Sequence, residues 1–210
     1  MIRLHPSPDS THSCPYCKIQ LHVVGWYIPG MRTLVDLTCK SCALEFFGDL
    51  GAGQGLYTPM LLEKAGATIH GAGRAAWYAN WLQSSYLKRT ESRLEIAVTE
   101  IRPVKQALLL NCLDAMYGHC VLKLLNAQYY LDQHPQLDLI VLIPEFLRWL
   151  VPAGVAAIWS VDLPLGRGAE WNDWLAREIG RRVAEFDQCW LSVAVSHPHP
   201  QTYNIERFTG

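Results

Sequence analysis

Charge of one sign is what this sequence most plainly lacks. Lys and Arg number 18 against 19 Asp and Glu, for a formal net charge of −1. That balance gives no electrostatic case for a polyanionic partner, because nucleic-acid binders present a basic face. Gly180-Arg181-Arg182 is the one small basic cluster. A secretory leader is also lacking, since the opening MIRLHPSPDSTHS is polar and holds two prolines. No apolar run reaches the roughly 18 residues a membrane span needs. The nearest, LIVLIPEFLRWLVPAGVAAIW, is broken by Pro144, Glu145, Arg148 and Pro152. These absences predict a soluble, cytoplasmic protein with no membrane span. With no leader and an odd total of seven cysteines, a disulfide framework is not expected either.

What is present is a globular composition, with 50% apolar and 18% charged residues. A length of 210 residues suffices for one well-buried domain and a small appendage. Four of the cysteines, Cys14, Cys17, Cys39 and Cys42, form C-x2-C-x21-C-x2-C. Each CxxC knuckle points two soft thiolates at one ion, and four such ligands suit tetrahedral Zn²⁺. The spacer slightly exceeds the usual length of roughly 15–20 residues. Its alternating residues around Pro29-Gly30 predict a hairpin that absorbs the excess. A zinc ribbon over residues 1–50 is therefore expected, its ion structural because four cysteines leave no open position. His12 and His22 fall beside a complete ligand set and are read as packing or surface residues.

Cys42 is followed closely by DLGAGQG, Asp49 to Gly55. This stretch resembles the glycine loop that cradles S-adenosylmethionine in methyltransferases. TPMLLEKAGA after it reads as a helix and TIHG as a short strand, which would make Asp49, Gly51, Gly53 and Gly55 the cofactor loop. Two points weigh against that. ALEFFGD leaves directly from Cys42, and its six or seven residues span only ~20 Å, enough to serve one sheet. The place where an acidic residue would hold ribose hydroxyls reads HGAGR instead. Residues 51–93 are accordingly read as a connecting segment. It carries a helix over 75–88, with Trp77, Trp81 and Leu82 on its packing side.

From residue 94 onwards strand-like and helical stretches alternate. LEIAV, QALLLNCLD, LDLIVLIP, GVAAIWSVD and QCWLSVAVS read as strands. YGHCVLKLLNAQYYLDQH, EFLRWLV and EWNDWLAREIGRRVAEF read as helices. The expected fold class is α/β, a Rossmann-like, mostly parallel sheet with helices on both faces over 94–210. Ligands of open α/β sheets gather beyond the carboxyl ends of the strands, which singles out the loop NCLDAMYGHC. His119 at the first turn of a helix, where the dipole favours neutral imidazole, and Asp114 are the candidate bases. Asn111, Tyr117 and Gly118 are candidate substrate-binding residues, Gly118 for its backbone freedom. The simpler reading has Asp114 capping the helix and His119 bonding locally. His197 and His199, Asp162 and Arg167 lie at other predicted strand ends, and Cys112, Cys120 and Cys189 read as buried packing.

YGHCVLKLLNA after a strand, followed in order by LDLIVLIP and GVAAIWSVDLPL, resembles the first Rossmann-like half of GT-B glycosyltransferases. The resemblance covers about residues 105–200, rests on Tyr117, Gly118 and His119, and leaves out the zinc ribbon. It implies a nucleotide sugar as donor and a small-molecule or glycan hydroxyl as acceptor. Because the second half of such enzymes holds the donor, it also implies one of two things. Either a C-terminal half lies beyond residue 210, or the chain is a truncated relative without full activity. A non-catalytic zinc-ribbon adaptor is the reading that needs no chemistry at all.

Overall fold

A computed structural model describes residues 1–71, 73, 76–194, 198–199, 201 and 203–206. The chain opens with β1 (Ile2–His5), then winds a five-stranded unit: β2 (His22–Tyr27), β3 (Leu34–Thr38), β4 (Glu45–Asp49), β5 (Leu61–Glu63) and β6 (Ile69–His70). These five lie side by side in chain order, every pairing antiparallel. Strand alternation sends Val35, Leu37 and Phe46 into one buried cluster and Leu34, Phe47 and Leu62 into another. The expected helix TPMLLEKAGA is instead β5 and the turn leading to β6. Pairing with β4 explains this, because Leu61 and Leu62 fall opposite Gly48 and Phe47, where each can bury its side chain.

The helix α1 (Ala76–Leu87) covers the Phe47 face of this sheet. Its inward residues are Tyr78, Leu82 and Tyr86, spaced four apart. Tyr86 and Phe47 both meet the buried Trp171 ring edge-on, with ring centroids 5.1 Å away in each case. The packing side expected from Trp77 and Trp81 is therefore corrected: these indoles are 64% and 44% exposed. The tyrosine-leucine stripe takes the sheet because tyrosine can bury its ring while its hydroxyl reaches a carbonyl, as Tyr86 does with Lys64 O at 3.2 Å.

The remaining elements build a second sheet. They are β7 (Ile96–Glu100), β8 (Ala107–Asn111), α2 (Tyr117–Gln133), β9 (Asp138–Pro144), β10 (Ala157–Val161), α3 (Asp173–Val183) and β11 (Cys189–Leu191). Its order is β1-β11-β8-β9-β10-β7. The inner four strands run parallel, and the two edges, β1 and β7, run antiparallel to their neighbours. Strands β8 and β9 are buried along their whole length, as expected for apolar runs covered on both faces.

A Rossmann-like sheet with helices on both faces is not what forms. The sheet is mixed, and α2 is the α-helix that packs the face of Leu108, Leu110, Val141 and Ile143. The opposite face, with Leu109, Ile140 and Trp159, is shared by α3 and the antiparallel sheet. Where EFLRWLV was expected as another helix, Glu145–Leu150 is a 3-10 segment. It is bracketed by Pro144 and Pro152, which leaves too little chain for an α-helix to cross the sheet. The strand expected to run to residue 196 ends at Leu191, and residues 195–197 lie outside the described ones, as does Ala75 at the start of the expected helix.

Two substitutions on α1 separate its faces. Leu82→Ala is expected to lower stability by about 2–5 kcal/mol, the cost of emptying a buried leucine site. Trp77→Ala is expected to change it by no more than about 0.5 kcal/mol. Urea midpoints of the two variants check this.

Candidate functional site

The two knuckles are one turn used twice. Lys18 N donates to Cys14 O at 3.0 Å and Ala43 N to Cys39 O at 2.9 Å. Cys14 N and Cys39 N each donate to the carbonyl five residues on, Ile19 O and Leu44 O, both at 2.8 Å. The residue after each second cysteine adopts a left-handed backbone, with φ of 64° at Lys18 and 58° at Ala43. This geometry brings all four sulfurs within 4.8 Å of one another. Cys14 and Cys42 Sγ lie 3.7 Å apart, and Cys17 and Cys39 Sγ 3.4 Å. Ligands about 2.3 Å from a tetrahedral ion stand about 3.8 Å from each other, so the set fits a metal ion such as zinc. The backbone N–H of Cys42, and after it that of Ser41, holds the Cys39 thiol down to about 6. Of the remaining cysteines, Cys112, Cys120 and Cys189 are buried, and burial pushes their thiols up, Cys120 to about 11 and Cys189 to about 12. They pack and do not react.

The glycine loop turns where β4 ends. It continues into a 3-10 turn, Gly53–Leu56, rather than an α-helix, and β4 has antiparallel neighbours on both sides. The strand-loop-helix cradle of a nucleotide fold is thus not formed by Asp49–Gly55. Gly55 is required here: a Cβ would lie 2.3 Å from Leu50 O and 2.9 Å from Asp49 Cβ. Asp49 is buried and takes two bonds from Arg32 Nη1, at 3.1 and 3.3 Å. Arg32 is itself buried, donates Nη2 to Tyr78 O at 3.1 Å and lies 3.7 Å over the Tyr78 ring. Burial raises the Asp49 carboxyl and Arg32 opposes it. Such a pair, dehydrated on both sides, gives little net stability but is costly to halve.

The second cluster stands at the carboxyl end of β8. Asp114 is buried, and its Oδ1 accepts from Met116 N and meets His119 Nδ1, each at 3.2 Å. Lys123 Nζ lies 2.9 Å from Asp114 Oδ2, though its aligned hydrogen bond goes to Leu113 O at 2.8 Å. With Nδ1–H donating to the carboxylate, the other ring nitrogen of His119 carries the lone pair, the tautomer a base requires. The His119 side chain is 22% exposed against 3% for Asp114, so the imidazole forms the outer member of the pair.

The sequence-predicted residues do not all meet at this point. Asn111 is spent on the fold: Nδ2 donates to Gly30 O at 2.9 Å and Oδ1 accepts from Leu113 N at 3.1 Å. Tyr117 and Gly118 are exposed in the first turn of α2. Gly118 has an ordinary helical backbone there, so the freedom expected of it is not used. Asp162 is exposed, Arg167 pairs with Glu170 at 2.8 Å, and His199 is exposed. His197 lies outside the described residues.

Three members were not foreseen: Arg32, Tyr78 and Lys123. Lys123 had a signal, since it follows His119 by four residues and so shares its helix face. Arg32 and Tyr78 had none, because their partners are remote in sequence.

No known protein family, no curated protein and no solved structure matches this chain.

Three outcomes follow. Cys39→Ser is expected to release the bound metal and lower Tm, read by elemental analysis beside a melting curve. In the intact protein, acidification should release metal, because protons compete with the ion for the four thiolates, and elemental analysis after dialysis at falling pH reads the loss. Asp49→Asn strands the buried Arg32 charge and is expected to cost about 3–5 kcal/mol by urea unfolding.

Proposed function

We propose that this protein transfers a group to a hydroxyl of a small-molecule or glycan acceptor, with His119 as general base. Acceptor binding lies at the carboxyl ends of the parallel strands, beside the start of α2. One observation carries the reading: a buried carboxylate, Asp114, holds the Nδ1 side of a partly exposed imidazole 3.2 Å away at that end of the sheet. The base takes the hydroxyl proton on its other nitrogen as the oxygen bonds to the donor's transferred group. The bond from that group to the rest of the donor breaks, the donor's remainder departs with the electron pair, and Asp114 stabilises the imidazolium that forms. Lys123 offsets the carboxylate charge and fixes its position from below. The resemblance of Tyr117-Gly118-His119 to the opening of a GT-B helix adds the finer point that the transferred group is a sugar from a nucleotide donor. In the same reading the four-cysteine site holds structural zinc, which orders the knuckles and takes no part in the transfer.

The test is a transfer assay on the full gene product, pairing a panel of nucleotide sugars with alcohol and monosaccharide acceptors and detecting product by mass. His119→Ala is expected to reduce turnover roughly 100- to 10,000-fold, the usual contribution of a general base. Asp114→Asn should lower kcat with little change in acceptor KM, since it disturbs the tautomer and not the binding surface, and should also lower the urea midpoint because it strands the buried Lys123 charge. Wild-type turnover in both variants overturns the reading.

A further inference from the structure

Helix α1 has a face that the antiparallel sheet does not use. Trp81, Ser84, Ser85 and, just past the helix end, Lys88 share it, spaced three and four apart. Across from them stands the loop before α3, and together they frame a cavity of about 210 Å³, lined also by Gly166, Glu170 and Trp171. Sites for drug-sized ligands measure roughly 300–1,000 Å³, so this one has the scale of a single ring. Its loop side is held firmly. Gly168 O accepts from Met31 N at 2.8 Å, Trp171 O accepts from Thr90 N at 2.9 Å, and Arg167 pairs with Glu170 at 2.8 Å.

A lone exposed indole on a surface means nothing. Trp81 differs because it lines a cavity beside polar groups that the fold leaves over. Among the described residues, none bonds the Trp81 Nε1–H, the Ser84 hydroxyl or the Lys88 ammonium. Ser85 Oγ donates to Leu82 O at 2.8 Å and keeps its acceptor lone pairs. Arg167 holds Glu170 by Oε2, which leaves Oε1 to accept. Donors and acceptors thus surround one aromatic side chain, and among the described lining residues one cation, Lys88, is matched by one carboxylate, Glu170. A purely apolar ligand would cover the indole but strip water from these groups without replacing it. A sugar ring has the complementary build: a face of C–H groups, and a girdle of hydroxyls that each donate and accept.

We infer that this cavity binds one uncharged hexopyranose, with its C–H face on Trp81 and its hydroxyls on Ser84, Lys88 and Glu170. The site is separate from His119 but shares a loop with that centre. Gly168 lies against the backbone of Asp114, where a Cβ would stand 2.1 Å from Asp114 O. That the bound sugar is a unit of the acceptor glycan rests on the transfer reading; that it binds does not.

The metal-loaded protein is titrated with the methyl glycosides of glucose, galactose, mannose and N-acetylglucosamine, followed by amide and indole correlation spectra. At least one glycoside is expected to shift the Trp81 indole N–H and the amides of Ser84–Lys88 and Gly166–Glu170 saturably. Cyclohexanol, a ring without the hydroxyl girdle, is expected to bind at least about tenfold weaker. Trp81→Ala, at a half-exposed helix position that alanine suits, should keep Tm yet abolish the shifts. Lys88→Ala, at an exposed position, should weaken binding about 3- to 10-fold and is readable even if the first variant folds poorly. Trp77→Ala should bind as the parent does, because that indole, 6.5 Å from Trp81, is not among those lining the cavity. His119→Ala should also bind as the parent does, so loss of transfer with binding retained overturns the transfer reading alone. The inference is overturned if no glycoside shifts these signals saturably or if cyclohexanol binds as tightly. It also falls if the shifts persist in a folded Trp81→Ala.

Discussion

One backbone contact decides how the two sheets share a corner. At Gly168 a side chain would have its Cβ 2.1 Å from the carbonyl oxygen of Asp114, so only glycine lets the loop before α3 lie flat on the exit of β8. The same loop then bonds the hairpin of the antiparallel sheet, Met31 N to Gly168 O at 2.8 Å, and Asn111 reaches that hairpin from β8 through Gly30 O. Three chain segments far apart in sequence are thereby stacked within backbone distance. Arg32, two residues along the hairpin from Gly30, and Asp114 become neighbours of one region as a result.

That junction explains the distribution of buried charge. A protein interior tolerates ions only where partners are fixed beforehand. Arg32 with Asp49 and Lys123 with Asp114 are each pinned by main-chain carbonyls, Tyr78 O and Leu113 O, as well as by their counter-ions. The two pairs flank Tyr78, whose hydroxyl is raised by burial first, with Arg32 pulling it down and both aspartates pushing it up. Rigid, dehydrated polar groups of this kind serve binding and catalysis because they need not reorganise when a substrate arrives.

Local patterns were legible and long-range ones were not. The CxxC spacing announced the sulfur cluster, and the apolar runs at 107–111, 138–144 and 157–161 announced buried strands. Rhythm also gave α2 and α3 to within a few residues. The helices expected at Thr58–Ala67 and Glu145–Val151 failed for different reasons. In the first, pairing with β4 overrode a helical composition, and in the second, two prolines left no length for one. LEIAV gave the strand at β7 but not its antiparallel edge position, and β1 was not legible at all, because an edge is defined by what it pairs with. Within the site, Asp114 and His119 could be found since they lie five residues apart. The Arg32–Asp49 pair spans 17 residues across two strands of a sheet whose register no short motif encodes.

The pairing of β1 has a consequence for biosynthesis. Its ladder partner is β11, so Ile2 waits for Leu191 before its backbone groups find their place in the sheet. During vectorial translation β1 emerges before its partner and is kept company only by solvent or by whatever shields nascent chains. The cysteine knuckles, complete by Cys42, close soon after. The growing polypeptide is thus expected to carry β1 unpaired until Cys189–Leu191 has been made.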